Sequence, residues 1–256
     1  MINELCKFSR SVVLVAAISL ISTAALAQGA GKDREIILAP YLWATAIDGT
    51  STVGALPPLD IDASFSDLLS NLEMAFSLHT EFRFGEWVFV VDPTFLSLGI
   101  DIPIPSPPAP QPATAKMDVD IWLVELWGGY RLSDNWEAIG GLRYQNQDIS
   151  VSGLPSPPFP AASTGVVNEN WTDWFVGARF NTDLGAKWLL TWRADVVFAG
   201  DSDTSWNTSI FFNRRIRETM ALNLGYRYFI DDFNDPGSYR WDVTYQGPVI
   251  GYTWVF

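Results

Sequence analysis

Between Met220 and Ile230 every second residue is apolar: Met220, Leu222, Leu224, Tyr226, Tyr228 and Ile230. The positions between them hold Ala221, Asn223, Gly225, Arg227 and Phe229. Successive side chains of a strand point to opposite faces, so this period sets one apolar face against one mixed face. The pattern recurs from Trp188 to Phe198, where Leu190, Trp192, Ala194 and Val196 oppose Thr191, Arg193 and Asp195. It recurs again from Met74 to Phe84, where Phe76, Leu78 and Phe82 oppose Ser77, His79, Glu81 and Arg83. Further strands are predicted at 87–98, 119–132, 136–149, 172–180, 206–216 and 240–256, with an opening strand at about 36–47.

Ten apolar strand faces need a medium to receive them. A soluble sheet would bury them under a second layer, and no segment with helical period supplies one. The chain carries 12 Trp and 16 Phe beside a net charge of -13, an unusual pairing for a soluble sheet. Beyond the N-terminal segment no stretch of about 20 residues is continuously apolar, which excludes helical membrane spans. A closed barrel is the membrane structure that remains, because it satisfies every backbone hydrogen bond without helices. The acidic balance argues against nucleic acid as a partner, since phosphate binding requires clustered Lys and Arg. The fold class expected is therefore all-β: a closed antiparallel up-and-down transmembrane barrel of about ten strands, with eight or twelve as alternatives.

Residues 1–27 read as a secretory signal peptide. Lys7 and Arg10 form a positive start, 11–21 an apolar core, and Ala25, Leu26 and Ala27 a small-residue cleavage site. The mature domain expected is 28–256. Cys6 is the only cysteine, so the mature chain would contain no thiol.

Connections alternate between short and long. Tight turns are predicted at Gly85–Glu86, Ser133–Asn135, Asn181–Lys187 and Arg217–Glu218, and long loops at 48–73, 99–118, 150–169, 201–205 and 231–239. Transmembrane barrels have this asymmetry, with the short turns periplasmic and the long loops extracellular. A repeat supports it: an inward Arg precedes a turn and a Trp follows, in Arg83 then Trp87, Arg131 then Trp136, and Arg179 then Trp188. With Trp254 these Trp residues form a periplasmic aromatic girdle, and Trp171, Trp174, Trp206 and Trp241 are candidates for the outer one. Pro40 weakens the opening strand by removing a ladder donor, and the face shared by Ile37, Tyr41, Trp43 and Ile47 is left unassigned. In the last strand, apolar residues fall on odd numbers through Trp241, Val243 and Tyr245 and on even numbers from Ile250, so a bulge near Gly247–Pro248 is expected.

The last strand, with Ile250, Tyr252, Trp254 and a terminal Phe256, resembles the closing strand of bacterial outer-membrane β-barrels. Across essentially its whole mature length the chain resembles the small outer-membrane β-barrel proteins of Gram-negative bacteria. Its N-terminal third is similar to porin-like outer-membrane proteins of unassigned function, through Pro40-Tyr41-Leu42-Trp43, Asp48-Gly49-Thr50, and Phe65-Ser66-Asp67-Leu68-Leu69 with Leu72. The resemblance implies residence in the outer membrane, contact with its lipid and lipopolysaccharide, and a terminal segment read by the barrel assembly machinery. It brings no activity, cofactor or oligomeric state. Residues 64–74 have the makings of a short amphipathic helix in the first loop, capped by Ser64 or Ser66.

The mixed face is where chemistry would lie. Glu81, Asp92, Glu125, Glu137 and Asp195 point inward with Arg83, Arg143, Arg179, Arg193, Arg215 and Arg227, so neighbouring strands offer opposite charges that can pair. His79 is the only histidine, and Ser77 and Glu81 share its face. That constellation lies well below the loops, so a lumenal, paired His is expected rather than a hydrolase at the barrel rim. Acidic pairs such as Asp60 and Asp62, or Asp231 and Asp232, lack the spacing of a calcium loop. The Pro-rich runs at 103–112 and 155–160 read as stiff extracellular connectors. No enzyme activity, metal or cofactor is expected. The functional expectation is a narrow porin-like conduit or a structural surface-loop protein with an ion-paired lumen, against the alternatives of a rim hydrolase or a soluble secreted binding protein.

Overall fold

The computed structural model describes residues 34–53, 58–104, 113–152 and 166–256. The expected leader and most of both Pro-rich runs lie outside them. Twelve strands occur: β1 Arg34–Trp43, β2 Ala46–Val53, β3 Leu59–Ala63, β4 Leu72–Phe84, β5 Trp87–Ile104, β6 Ala113–Arg131, β7 Trp136–Ser152, β8 Val166–Asp183, β9 Trp188–Gly200, β10 Ser202–Arg217, β11 Met220–Asp235 and β12 Tyr239–Val255. A short helix, α1 Phe65–Ser70, joins β3 to β4. β1 and β4 to β12 pair in order, each antiparallel to the next, and β1 pairs with β12 to close a ten-stranded barrel. β2 and β3 stand outside that count as a hairpin on the upper part of β12.

The strands run farther than the alternation of apolar residues suggested, because the polarity of their two faces reverses part-way up. Between the girdles the outward residues are apolar, as in Phe89 and Val91 of β5 and Ile210 and Phe212 of β10. The band runs from Trp87 to Phe95, from Trp122 to Tyr130 and from Trp206 to Arg214. That is about nine residues per strand, the length of a tilted transmembrane β-strand. Toward the loop end the outward positions become Asp118 and Asp120, Asn168 and Asn170, Asp232 and Asn234, and Asp242 and Thr244. The inward positions there are Val119, Ile121, Val167, Trp171, Phe233, Trp241 and Val243, all buried in one apolar cluster. A lipid-facing barrel thus carries on it a collar with the inside-apolar, outside-polar arrangement of a water-soluble barrel.

This reversal corrects several expectations. The predicted loops at 201–205 and 231–239 are mostly strand. β9 and β10 are joined across Asp201, and β11 reaches Asp235. The segment 48–73 holds most of β2, all of β3 and α1. Trp171 and Trp241 are interior, so of the four candidates only Trp174 and Trp206 face outward. No bulge interrupts β12, whose register with β11 is continuous from Met220↔Trp254 to Asp235↔Tyr239. Odd positions face inward along its whole length. The apolar residues change parity because the surroundings change.

The irregularity near Gly247–Pro248 lies in the neighbouring strand. β12 pairs with β1 from Val249 upward in number and with β2 from Gln246 downward, and the chain crosses between the two partners at Ala44–Thr45. The Pro248 carbonyl accepts from the Ala44 N–H at 2.9 Å. A Cβ on Gly247 would lie 2.0 Å from the Ala44 carbonyl oxygen, so the crossing requires glycine. The opening strand is also resolved: Ile37, Tyr41, Trp43 and Ile47 face the interior. α1 is capped by Ser64, whose hydroxyl accepts from the Asp67 N–H while the Asp67 carboxylate accepts from the Ser64 N–H. These bonds from Ser64 hold the Asp67 carboxyl below its ordinary range. Leu68 of α1 is buried in the collar core, so the helix is tucked into the mouth.

Continuous register in β12 makes opposite demands on residues a few positions apart. Ile250→Arg should impair folding into lipid by about 2 to 4 kcal/mol. Val243→Asp should destabilise the folded barrel by burying an unpaired carboxylate, whereas Thr244→Asp should be silent. Urea titration in lipid vesicles, read as loss of heat-modifiable gel mobility, tests this. A bulge would make Thr244→Asp the harmful variant.

Candidate functional site

The interior has three layers. At the turn end a cavity of about 830 Å³ extends inward, lined by groups such as Ile37, Asn213, Asn223 and Thr253. Its ceiling is a belt of charged side chains. Above the belt the collar core fills the barrel.

The belt is built on Glu125 of β6, which is almost wholly enclosed. Its carboxylate accepts from Arg143 Nε at 2.9 Å, from Arg193 Nη1 at 2.9 Å and from Arg227 Nη2 at 3.3 Å. Asp195 bridges two of the same cations, at 2.6 Å from Arg143 and 2.8 Å from Arg193. Arg143 and Glu125 are direct cross-strand partners, whereas Arg193 and Arg227 reach across the lumen from β9 and β11. Three guanidinium groups around two carboxylates leave a surplus positive charge, spread over aromatic faces. Arg143 lies 5.1 Å from the Phe175 ring centroid and 4.6 Å from that of Phe229, and Arg193 lies 5.0 Å from Trp127.

A second group lies nearer the turn end. Arg179 donates to Glu81 at 2.6 Å and to Glu137 at 2.5 Å, and Arg83 bonds to Glu81. His79 lies between two carboxylates, with Nδ1 2.9 Å from Asp92 and Nε2 3.3 Å from Glu81. Tyr41 donates to Asp92 at 2.8 Å. Both ring nitrogens of His79 are therefore engaged with acids, and no hydrogen bond links it to Ser77.

Of the eleven charged residues expected in the lumen, ten meet in these two groups. Arg215 does not. It pairs with Asp183 at 2.9 Å on the exposed turn-end rim, because its strand has reached the end of the barrel there. The four girdle residues Trp87, Trp136, Trp188 and Trp254 face outward near the turns. Trp87 packs edge-on against Tyr130 at 4.9 Å, and Trp136 lies 4.9 Å from Phe180. Ile250, Tyr252, Trp254 and Phe256 are outward or exposed on β12. Phe256 and Ile36 exchange backbone hydrogen bonds at 2.9 and 3.1 Å, which ties the chain's last residue to β1.

Two further carboxylates are interior and fully enclosed: Asp173, absent from the expected lumenal set, and Asp231, expected in a loop. Asp173 accepts from the N–H groups of Asp201 and Ser202 and so holds the β9–β10 turn, where Gly200 takes a φ of 144°. Asp231 accepts from Gln145 at 2.9 Å. Parity would have found both, since each continues the inward series of its strand. Above them Trp171 and Phe233 stack with centroids 4.4 Å apart, and Trp171, Gln145 and Gln147 are at most 1% exposed. At this level side chains fill the barrel, as expected for a barrel only slightly wider than eight strands.

No family model and no curated protein matches the chain. Among solved structures it is similar to the translocator domain of the autotransporter NalP from Neisseria meningitidis, at 12% identity over 97% of each chain with a TM-score of 0.42. It is also similar to the outer membrane protease OmpT from Escherichia coli, at 7% identity over 88% of this chain and 98% of that one with a TM-score of 0.47. A third is Ail, the attachment invasion locus protein of Yersinia pestis, at 8% identity over 88% and 100% of the two chains with a TM-score of 0.36. The fold itself is a closed ten-stranded antiparallel β-barrel with an added hairpin. At these identities the likeness extends to architecture and not to any activity.

Among the described residues Glu125 is the only carboxylate that joins Arg143, Arg193 and Arg227 together. Glu125→Gln should cost about 3 to 5 kcal/mol, because it leaves buried cations without their counter-charge. Urea unfolding in vesicles measures this, and a loss below about 1 kcal/mol, the size of an exposed ion pair, would show that the belt does not depend on the Glu125 charge.

Proposed function

We propose that this chain is an exported integral outer-membrane protein whose lumen is closed to passive diffusion, and whose role is to hold the rigid β-collar at the cell surface. The observation that carries this reading is the enclosed layer of Arg143, Gln145, Trp171 and Phe233, which leaves the cavity at the turn end blind. Residues 1–27 act as the cleaved export signal, and the outward apolar band receives outer-membrane lipid. The acidic outer face of the collar, with Asp118, Asp120, Asp232 and Asp242, meets the lipopolysaccharide layer. The protein is not an enzyme in this reading. The engagement of both His79 nitrogens by Asp92 and Glu81 supports that, since it leaves no base for Ser77.

Refolded protein in planar bilayers should show no stepwise conductance, while the double variant Trp171→Ala, Phe233→Ala should conduct. One observation favours the narrow-conduit reading, namely the polar cavity that reaches the belt from the turn end. Stable steps in the unmodified protein would establish that reading in place of the closed one.

The terminal strand serves as the signal read by the barrel assembly machinery, with Ile250, Tyr252, Trp254 and Phe256 as its side chains. The Phe256 side chain is more than half exposed, so it contributes little to the folded barrel. Phe256→Ala preserves the backbone pair with Ile36. It should leave unfolding in vesicles nearly unchanged yet sharply lower the amount found in outer membranes of expressing cells. Equal amounts of the two proteins would remove the signal assignment.

A further inference from the structure

The barrel wall is not hydrogen-bonded throughout. β1 and β4 pair from Arg34↔Phe84 to Pro40↔Leu78, and there the ladder stops. Continued in register, it would join Tyr41, Leu42 and Trp43 to Ser77, Phe76 and Ala75, but no such pairing exists. β1 remains on β12 through Trp43↔Val249, so the first strand turns away from β4 while staying attached on its other side. Pro40 stands at the parting and has no N–H to donate.

Such a parting within the lipid band needs a reason, since an unpaired backbone group there costs several kcal/mol and is tolerated only where it is buried in protein or lines a cavity. A cavity is present. A void of about 70 Å³ lies between the separated strands, reaching from Leu42 and Phe76 to Trp43, Leu123, Phe229 and Tyr245. The first two point outward and are 44% and 38% exposed among the lipid-facing residues. Leu123, Phe229 and Tyr245 belong to the interior apolar cluster. The opening therefore runs from the surface that meets hydrocarbon to the apolar core of the barrel. Ala75 stands at its mouth, small and exposed where its strand lacks a neighbour.

We propose that the parting between β1 and β4 is a lateral portal in which the end of a single hydrocarbon chain of the surrounding membrane lipid lodges. Three features point to that occupant. The mouth opens beside Leu42 and Phe76, exposed apolar side chains at the loop-end edge of the lipid band. The inner walls are largely aromatic and aliphatic, so they exclude ions. The volume is about half that of an engineered void of about 150 Å³ that takes benzene, which suits the tip of a chain rather than a whole molecule. This inference is independent of the closed-lumen reading, which concerns the axis of the barrel and not its wall.

The test uses the full mature chain in vesicles of phosphatidylcholine bearing a diazirine at the methyl end of one acyl chain. After irradiation the folded, heat-modifiable band is digested and adducts are mapped by mass spectrometry. Adducts are expected on Leu123, Phe229 or Tyr245 as well as on lipid-facing Leu224 and Trp192. Ala75→Trp, which places an indole in the mouth, should abolish the interior adducts and leave those on Leu224 and Trp192 intact. If that variant does not fold, Ala75→Leu replaces it with the same expectation. Adducts confined to lipid-facing residues in the unmodified protein would overturn the proposal, as would interior adducts that persist undiminished once the mouth is filled.

Discussion

A strand presents its alternate residues to two different surroundings, and in this chain both surroundings change at the membrane surface while the register does not. Between the girdles the outside is hydrocarbon and the inside is a polar lumen. Above them the outside is water and the inside is an apolar core. β12 records the change in one uninterrupted ladder, with Ile250, Tyr252 and Trp254 outward below and Trp241, Val243 and Tyr245 inward above. The same backbone hydrogen bonds serve both halves, so the collar inherits the order of the membrane barrel and needs no separate framework.

The belt at Glu125 lies where the two interiors meet. Below it the interior admits a cavity of about 830 Å³, and above it buried side chains such as Trp171, Gln145 and Phe233 occupy the axis. Charges there are costly to bury and gain stability only through dense mutual bonding. Glu125 and Asp195 together take hydrogen bonds or ion pairs from Arg143, Arg193 and Arg227, and Phe229 of the collar core and Phe175 of the cluster nearer the turns both lie against Arg143. Removing any one partner leaves the others uncompensated, so the belt acts as a unit. It joins residues from β6, β7, β9 and β11 across the lumen and fixes the cross-section of a barrel that would otherwise be held only by its wall.

Much of this was legible in the sequence, for a physical reason. Alternation is a local property, so the strands and the inward parity of the charged side chains followed from it. The misreadings come from assuming that apolar means lipid-facing at every height. Trp171 and Trp241, candidates for the outer girdle, and Asp231, in a predicted loop, are interior, because nothing local in the sequence marks where the membrane ends. The bulge at Gly247–Pro248 was inferred from the same assumption. What alternation cannot contain is partnership across the lumen: that Arg193 and Arg227 converge on Glu125 depends on the closed circumference and not on any spacing along the chain. Arg215 shows the converse. It has the right parity, but it lies at the rim with Asp183 because of its height on β10.

The wall parts for good between β1 and β4 above Pro40, beside the point of closure. β1 is paired with β4 from Arg34 to Pro40, and on its other side it is bonded from Ile36 to Leu38 and again from Tyr41 to Trp43. Above Pro40 it is held by β12 alone, and the collar on that side is completed by β2 and β3. A strand that must close a barrel below and hand its place to a hairpin above cannot keep two neighbours throughout. Gly247 permits the hand-over on the β12 side, where the Ala44 carbonyl comes too close for any Cβ, and Pro40 marks the release on the β4 side. The parting is thus a geometric consequence of mounting a collar with an extra hairpin on a ten-stranded barrel, and it puts an apolar entrance where the β1–β4 ladder ends.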